Sequence, residues 1–300
     1  MKTLIIKLGA SGDVIRTTTL LHLFDDGVDW ITSDLNSILL EGLPRVNKII
    51  KESELTFTNF YNYDLIVNLE DTIDAAKIVE AINHKEVFGS YLNKSGNITY
   101  TDSSKDWFDL SLISKHGIEK ANQLKFENQK SFQELIFTGL GFKFNHHQYL
   151  LPVTIPSILT GDVAISSKAG KVWPMKNWAY YNQLADHLRE QGYIVNFLPH
   201  RKTILEHLAD VRSHSHLISG DSLPMHFALG SNIECISLFI CTSAAEIFDY
   251  GVQQKIISPQ LEKYFYRRDF DEDSVKSISF DTVTKAFEQL KEKKISYAYS

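Results

Sequence analysis

The chain has 300 residues, of which 43% are hydrophobic and 23% charged, and it carries a formal charge of −6. Such a composition excludes disordered and fibrous classes and fits a globular protein of two ordinary domains. The acidic balance argues against a nucleic-acid partner, which would require a basic face to neutralise phosphates.

Two cysteines, Cys235 and Cys241, are too few for a disulfide scaffold, and six residues apart in one apolar segment they do not form a metal motif. A reducing, cytoplasmic compartment is therefore expected. Lys7 interrupts the apolar start before a signal-peptide core develops, and no window reaches the length of a membrane span. Any work on lipid-linked material would be done from the membrane surface, by peripheral contact.

Residues 3–8 form a short β-branched run closing on Gly9, and residues 14–24 space their apolar side chains as a helix does, so the chain opens as strand, turn, helix. Short apolar runs at 30–32, 48–51, 64–69 and 86–88, with a helical stretch at 72–82, continue the alternation expected of βαβ units and a parallel sheet. Residues 103–144 read as polar helices, including 107–118 and 131–140. The pattern breaks at His146-His147, and a linker is placed near 152–160. A second series follows, with strands at 162–166, 194–198, 216–219 and 235–239 and helices at 177–191, 202–212 and 223–229. The last stretch, 281–294, carries Val283, Phe287 and Leu290 on one stripe, as an amphipathic helix that could return to the first domain. The expected fold is α/β with two doubly wound, Rossmann-like domains, 1–155 and 156–300.

Four stretches could carry chemistry. The first, KLGASGDVIRTT, sets Gly9, Gly12 and Asp13 at the carboxyl edge of the first strand, where ligands of open sheets bind. Asp13 reads either as a helix N-cap or as a carboxylate presented to a ligand. Arg16 follows it, and Thr17 and Thr18 read as surface positions of the helix. The second is the loop Ser166-Ser167-Lys168-Ala169-Gly170-Lys171-Val172-Trp173-Pro174-Met175-Lys176-Asn177-Trp178, which offers hydroxyls, flexible backbone and ammonium groups to a phosphate, with Lys171 the candidate, against a reading as solvated lysines. In the third, Gly220-Asp221-Ser222-Leu223-Pro224-Met225-His226, a strand ends on a glycine and a helix opens with Pro224. Its free amides and positive end make an anion site, against Asp221 or Ser222 as N-cap and His226 as a core histidine. The fourth, Phe239-Ile240-Cys241-Thr242-Ser243, ends another strand with hydroxyls that line the same cleft or cap the following turn. His146-His147 and His214-Ser215-His216 lack metal-ligand partners and read as surface or linker histidines. Tyr264-Phe265-Tyr266-Arg267-Arg268 interleaves rings and guanidinium groups as a phosphate or base-stacking site would, or as a packed segment.

In this order, KLGASGDVIRTT, KVWPMKNWAYYNQLADHL and SGDSLPMHFALGSNIECISLFICTS resemble glycosyltransferase family 9, the ADP-heptose lipopolysaccharide heptosyltransferases, over nearly the whole chain. The resemblance implies a GT-B fold of two facing Rossmann-like domains, the first binding the acceptor and the second a nucleoside-diphosphate sugar such as ADP-heptose. It implies no cofactor and no metal in the chemistry. Asp13 matches the family's catalytic base and Lys171 its phosphate-binding lysine, while Gly12, Arg16 and Thr17 fall on the acceptor side. Ser166, Ser167, Asp221, Ser222, Leu223, His226 and Thr242 fall on the donor side. The acceptor would be a glycan, a lipid-linked sugar or another small molecule. Two departures stand out. Asp221-Ser222-Leu223 replaces the family's Asp-Thr-Gly, and the stretch from Pro199 to Gly220 is short by a helix and a strand. The family's ribose-binding carboxylate consequently has no clear match, with Glu206 as the nearest candidate.

A dehydrogenase reading is also open, with Gly9 and Gly12 cradling the pyrophosphate of NAD and Asp34 holding its ribose, although the full G-x-G-x-x-G is lacking. So is a family member that binds a nucleotide sugar without transferring it.

Overall fold

The computed structural model describes residues 1–55, 62–170 and 172–298, with side chains described through Leu290. The chain divides into two compact units, Met1–Val153 and Thr154–Ser300.

The first unit contains β1 (Thr3–Ile6), α1 (Ser11–Thr17), β2 (Val28–Thr32), β3 (Val46–Lys51), β4 (Tyr63–Asn68), α2 (Ile73–Ala81), β5 (His84–Leu92), β6 (Ile98–Tyr100), α3 (Lys105–Phe108), α4 (Ile118–Glu127) and α5 (Phe132–Gly139). Its sheet has the order β3-β2-β1-β4-β5-β6, parallel except for β6, which returns antiparallel to β5. β1 is buried on both faces, which its run of Leu4, Ile5 and Ile6 demands. Ala75, Ile78 and Val79 of α2 pack on Leu4, Ile31 and Ile66.

The second unit contains β7 (Gly161–Ser166), α6 (Tyr181–Glu190), β8 (Val195–Phe197), α7 (Ile204–Arg212), β9 (His214–Gly220), α8 (Leu223–Gly230), β10 (Glu234–Phe239), β11 (Gln253–Ile257), α9 (Leu261–Tyr264), α10 (Glu272–Lys276) and α11 (Phe280–Ala298). All five strands are parallel, in the order β11-β10-β9-β7-β8. Val283, Phe287 and Leu290 of α11 are buried in this unit's own core, with Val163, Ile236 and Ile256 of its sheet.

The structure corrects several expectations. The helix expected over 14–24 ends at Thr17 and continues as a tighter 3-10 turn, Thr18–Leu23. Thr17, Thr18 and Thr19 are fully buried rather than at the surface. Their hydroxyls donate to the carbonyls of Asp13, Ile15 and Arg16, and such back-bonding competes with helical pairing. The helix expected over 107–118 is only α3, which ends at Phe108; a run of turns follows, and Gly117, at φ +81°, precedes α4. Pro174 opens a short 3-10 turn in place of a helix from 177, and α6 starts at Tyr181. His214 and His216 are buried on β9, not on the surface: His214 lies 2.7 Å from the Asp210 carbonyl and His216 3.2 Å from Glu234. The short β6 and the edge strand β11 escape the sequence pattern. No described helix is long and apolar enough to cross a membrane.

Strand order locates the binding edges. In the first sheet the winding reverses between β1 and β4, and in the second between β7 and β9; ligands of open α/β sheets bind beyond the carboxyl ends of the strands at such reversals. Gly89, on β5, shapes the first of these edges. It has φ +109°, and a Cβ there would lie 1.8 Å from the Asn68 carbonyl oxygen at the end of β4. Gly89→Ala should therefore lower the first unit's stability by at least about 2 kcal/mol, from a strained φ and a backbone clash together. Urea unfolding followed by circular dichroism tests this, and an unchanged midpoint would contradict the packing described.

Candidate functional site

In the first unit the reversal is bridged by charge. Glu70, just past β4, is 8% exposed and pairs with Lys7 at 2.9 Å, just past β1. The same Glu70 oxygen accepts the backbone N–H groups of Leu8 at 2.7 Å and Gly9 at 3.2 Å. Glu70 is itself clamped, since its amide donates to Asn68 Oδ1 and its carbonyl accepts from Ser90 Oγ at 2.6 Å, next to Gly89. The turn after β1 thus spends its amides on a carboxylate of its own chain. Asn36 fixes the same turn from the other side, donating to the Leu8 carbonyl and accepting from Ser11 Oγ, both at 2.7 Å.

Asp13 stands above this turn with a third of its side chain exposed. The N-cap of α1 is Ala10, so Asp13 does not cap the helix. Arg16 lies 3.0 Å from one carboxylate oxygen and Lys7 3.9 Å from the other. Arg16 is in turn held against aromatic faces, 4.3 Å from the Phe132 ring centre and 5.2 Å from that of Trp107. Two fixed cations on opposite oxygens pin the carboxylate while leaving part of it open. Gly12 is the second residue of α1, and Thr17 is turned into the protein.

The second unit builds its reversal in the same way from different residues. Lys176, in the turn after β7, is buried and donates to Asp221 Oδ2 at 2.8 Å and to the Asp221 carbonyl at 2.7 Å, in the turn after β9. Thr242, beyond β10, donates to the same carboxylate oxygen at 2.8 Å. Burial by itself would raise the Asp221 carboxyl, but the adjacent Lys176 charge and its hydrogen bond, with smaller contributions from His226 and the Thr242 hydrogen bond, outweigh it and hold the group at about 2. Ser222 occupies the N-cap position of α8, yet its hydroxyl donates to the Gly220 carbonyl rather than capping the helix. The positive end of α8 therefore remains uncapped by a side chain, beside a locked cation. Leu223 is half-buried at the first position of α8, and His226 is buried one turn on. Ser166 ends β7 and, like Ser167, is half-buried.

The structure thus gathers Asp221, Ser222, Leu223, His226 and Thr242 around one strand edge, and Asp13 and Arg16 around the other. Lys171 lies outside the described residues. Glu206 is engaged locally, closing a capping box with Thr203 at the start of α7. Asp34 is exposed and accepts from Ser53. Sequence reasoning gives no role to Lys7 or Lys176, although both lie in the quoted stretches, and it misses Glu70. A lone glutamate after the DLIVNL run and a second lysine beyond Trp173-Pro174 were the available signals, and neither reveals its partner on another element. Among the described residues no group of three or more His, Cys, Asp or Glu side chains is arranged to hold a metal ion.

No protein-family model and no curated protein matches the sequence. Solved structures do match in fold over almost the whole chain. A glycosyltransferase of family 9 from Veillonella parvula superposes with a TM-score of 0.66 at 16% identity, covering 96% of both chains. E. coli ADP-heptose LPS heptosyltransferase II gives 0.65 at 15% identity, covering 98% of this chain and 99% of that one. E. coli heptosyltransferase WaaC, solved with ADP-2-deoxy-2-fluoro heptose, gives 0.63 at 11% identity, covering 96% and 99%. The fold is that of the GT-B heptosyltransferases.

The Lys176–Asp221 pair has a measurable signature. A carboxyl held at about 2 in the folded chain, against 3.8 ordinarily, contributes stability that is complete above the unfolded value and is lost as pH falls through the folded one. The melting temperature of the second unit should fall between about pH 4 and pH 2, an effect of roughly 2 kcal/mol. Lys176→Met leaves a buried carboxylate without its cation and should cost about 3 kcal/mol at neutral pH, with most of that acid-dependent contribution gone. Melts followed by circular dichroism from pH 2 to 7 read both; equal stability of the variant at pH 7 would remove the pair from the account.

Proposed function

We propose that the protein is an inverting, metal-independent glycosyltransferase, moving a sugar from a nucleoside diphosphate to a hydroxyl of a glycan, a lipid-linked sugar or another small acceptor, with ADP-heptose as the leading donor. The observation that carries this reading is the contrast between the two strand edges. At the first, amides that could cradle phosphate are taken by Glu70 and a partly open carboxylate, Asp13, is held by two cations. At the second, the start of α8 has no side-chain cap, and the turn before it is fixed by the Lys176–Asp221 pair, so its amides are presented to an anion. The solved structures of like fold support the choice of donor, since WaaC was solved with ADP and with a fluorinated ADP-heptose.

In this mechanism the first unit takes the acceptor and the second the donor. Asp13 accepts the proton of the acceptor hydroxyl as that oxygen attacks the anomeric carbon. The bond from that carbon to the diphosphate oxygen breaks, and its electron pair leaves with the nucleoside diphosphate. A single displacement inverts the centre. Negative charge grows on the leaving group and is met by the α8 amides and by Lys171, assigned to the diphosphate by its place in the motif. Asp221, Thr242 and Lys176 fix the turn that presents those amides, with Ser166, Ser167, Ser222, Leu223 and His226 lining the donor side. The turn after β1 counts against a dehydrogenase: Glu70 occupies the Gly9 amide, one of the two glycine amides that an NAD pyrophosphate would use.

Release of nucleoside diphosphate from ADP-heptose in the presence of acceptor tests the reading. Asp13→Asn should lower kcat by 10²- to 10⁴-fold, the range of a lost general base, while the donor Kd stays within about threefold. Loss of donor binding in that variant, or melting-temperature stabilisation by NAD and by no nucleoside diphosphate, would overturn it. Retained activity in EDTA and an inverted anomeric configuration in the product check the two finer parts.

A further inference from the structure

The segment Tyr264-Phe265-Tyr266-Arg267-Arg268 has no part in the mechanism above, yet the fold brings it to the donor edge. Tyr266 donates its backbone N–H to the Cys241 carbonyl at 2.9 Å, one residue before Thr242. It adopts φ +55°, a left-handed conformation that a tyrosine holds only when its surroundings impose it. Its ring meets Trp173 edge to face at 5.4 Å, and its hydroxyl reaches Glu246.

This turn sends the two following arginines to different ends. Arg267 is neutralised, by Asp269 and against the Tyr264 ring. Arg268 is exposed, and among the described residues it pairs with no carboxylate. Its guanidinium lies over Trp173, 5.3 Å from the ring centre. Lys176 lies 5.4 Å from the same ring centre. One tryptophan thus carries two cations, one locked to Asp221 and one uncommitted.

Resting on the glycosyltransferase reading, we propose that Arg268, presented on Trp173, binds the diphosphate of the nucleotide sugar. A guanidinium seated on an aromatic ring is held in orientation while its N–H edge stays open, and that planar edge matches two phosphate oxygens at once. Lys176, with both of its described hydrogen bonds spent on Asp221, acts as a positioning residue for the turn before α8.

The test is titration calorimetry of ADP, AMP and adenosine on the full chain, for the parent and for Arg268→Ala, Arg268→Lys and Trp173→Leu. Arg268 is exposed and its replacement should leave the fold intact, which far-UV circular dichroism checks. Arg268→Ala should weaken ADP 10- to 30-fold, AMP less, and adenosine not at all. Arg268→Lys should recover part of the loss, as a point charge without the planar edge, and Trp173→Leu should weaken ADP while sparing adenosine. Unchanged ADP affinity in Arg268→Ala, with the parent binding ADP, would overturn this assignment and leave the glycosyltransferase reading standing. Equal losses for ADP and adenosine would overturn it as well, by making Arg268 structural. If the parent binds neither ADP nor GDP, UDP or dTDP, the donor reading falls and the assignment with it.

Discussion

Each half of the molecule depends on a lysine and a carboxylate brought together across the point where its sheet reverses winding. Lys7 meets Glu70 across β1 and β4, and Lys176 meets Asp221 across the turns after β7 and β9. All four side chains are largely withdrawn from water, so removing either partner of a pair would strand a charge in a medium that solvates it poorly. Burying such pairs is weak evidence of net stability. It is stronger evidence of specification: a loop that slips by one residue loses its counter-ion, so each pair selects one geometry for the loops that meet at the strand ends.

The two pairs do opposite things to the backbone around them. Glu70 turns inward onto the amides of Leu8 and Gly9 and closes the first turn against anions. Among the described residues Asp221 has its carboxylate occupied by Lys176 and Thr242 and takes no backbone amide of its turn, while the helices after both turns lack a side-chain cap. One fold, used twice, thus spends its acidic side chain in two ways, Glu70 on backbone amides and Asp221 on Lys176 and Thr242. The difference lies in where a single acidic side chain points.

What the sequence disclosed and what it withheld divide along the same line. Asp13, Asp221 and the alternation of strands and helices are written in short windows, because turn chemistry and apolar periodicity are local. The partners are not. Lys176 and Asp221 are 45 residues apart, and nothing near either one announces the other. Thr17 and Thr18 looked like surface hydroxyls because threonine is polar, and they are buried because each hydroxyl finds a carbonyl one turn back. Histidines 214 and 216 give no sequence sign of burial for a similar reason, their neighbours in space being a carbonyl and a glutamate on other elements. Arg268 is the extreme case: beside Arg267 in sequence it looks redundant, and only the reversal at Tyr266 separates their surroundings.

The tryptophans have a use of their own. Trp107 lies against Arg16, the counter-ion of Asp13, and Trp173 lies against Arg268 and Lys176, so each strand edge carries an indole touching its own cation. Trp30 and Trp178 are buried in the separate cores and complete the set. Indole emission responds to nearby charge and water, and each unit therefore contains one partly exposed indole beside an edge cation and one buried indole, that of Trp30 donating to the Lys7 carbonyl. Single replacements of Trp107 or Trp173 by Phe would leave the intrinsic fluorescence of the unlabelled chain reporting on one edge at a time, with no dye attached to the chain.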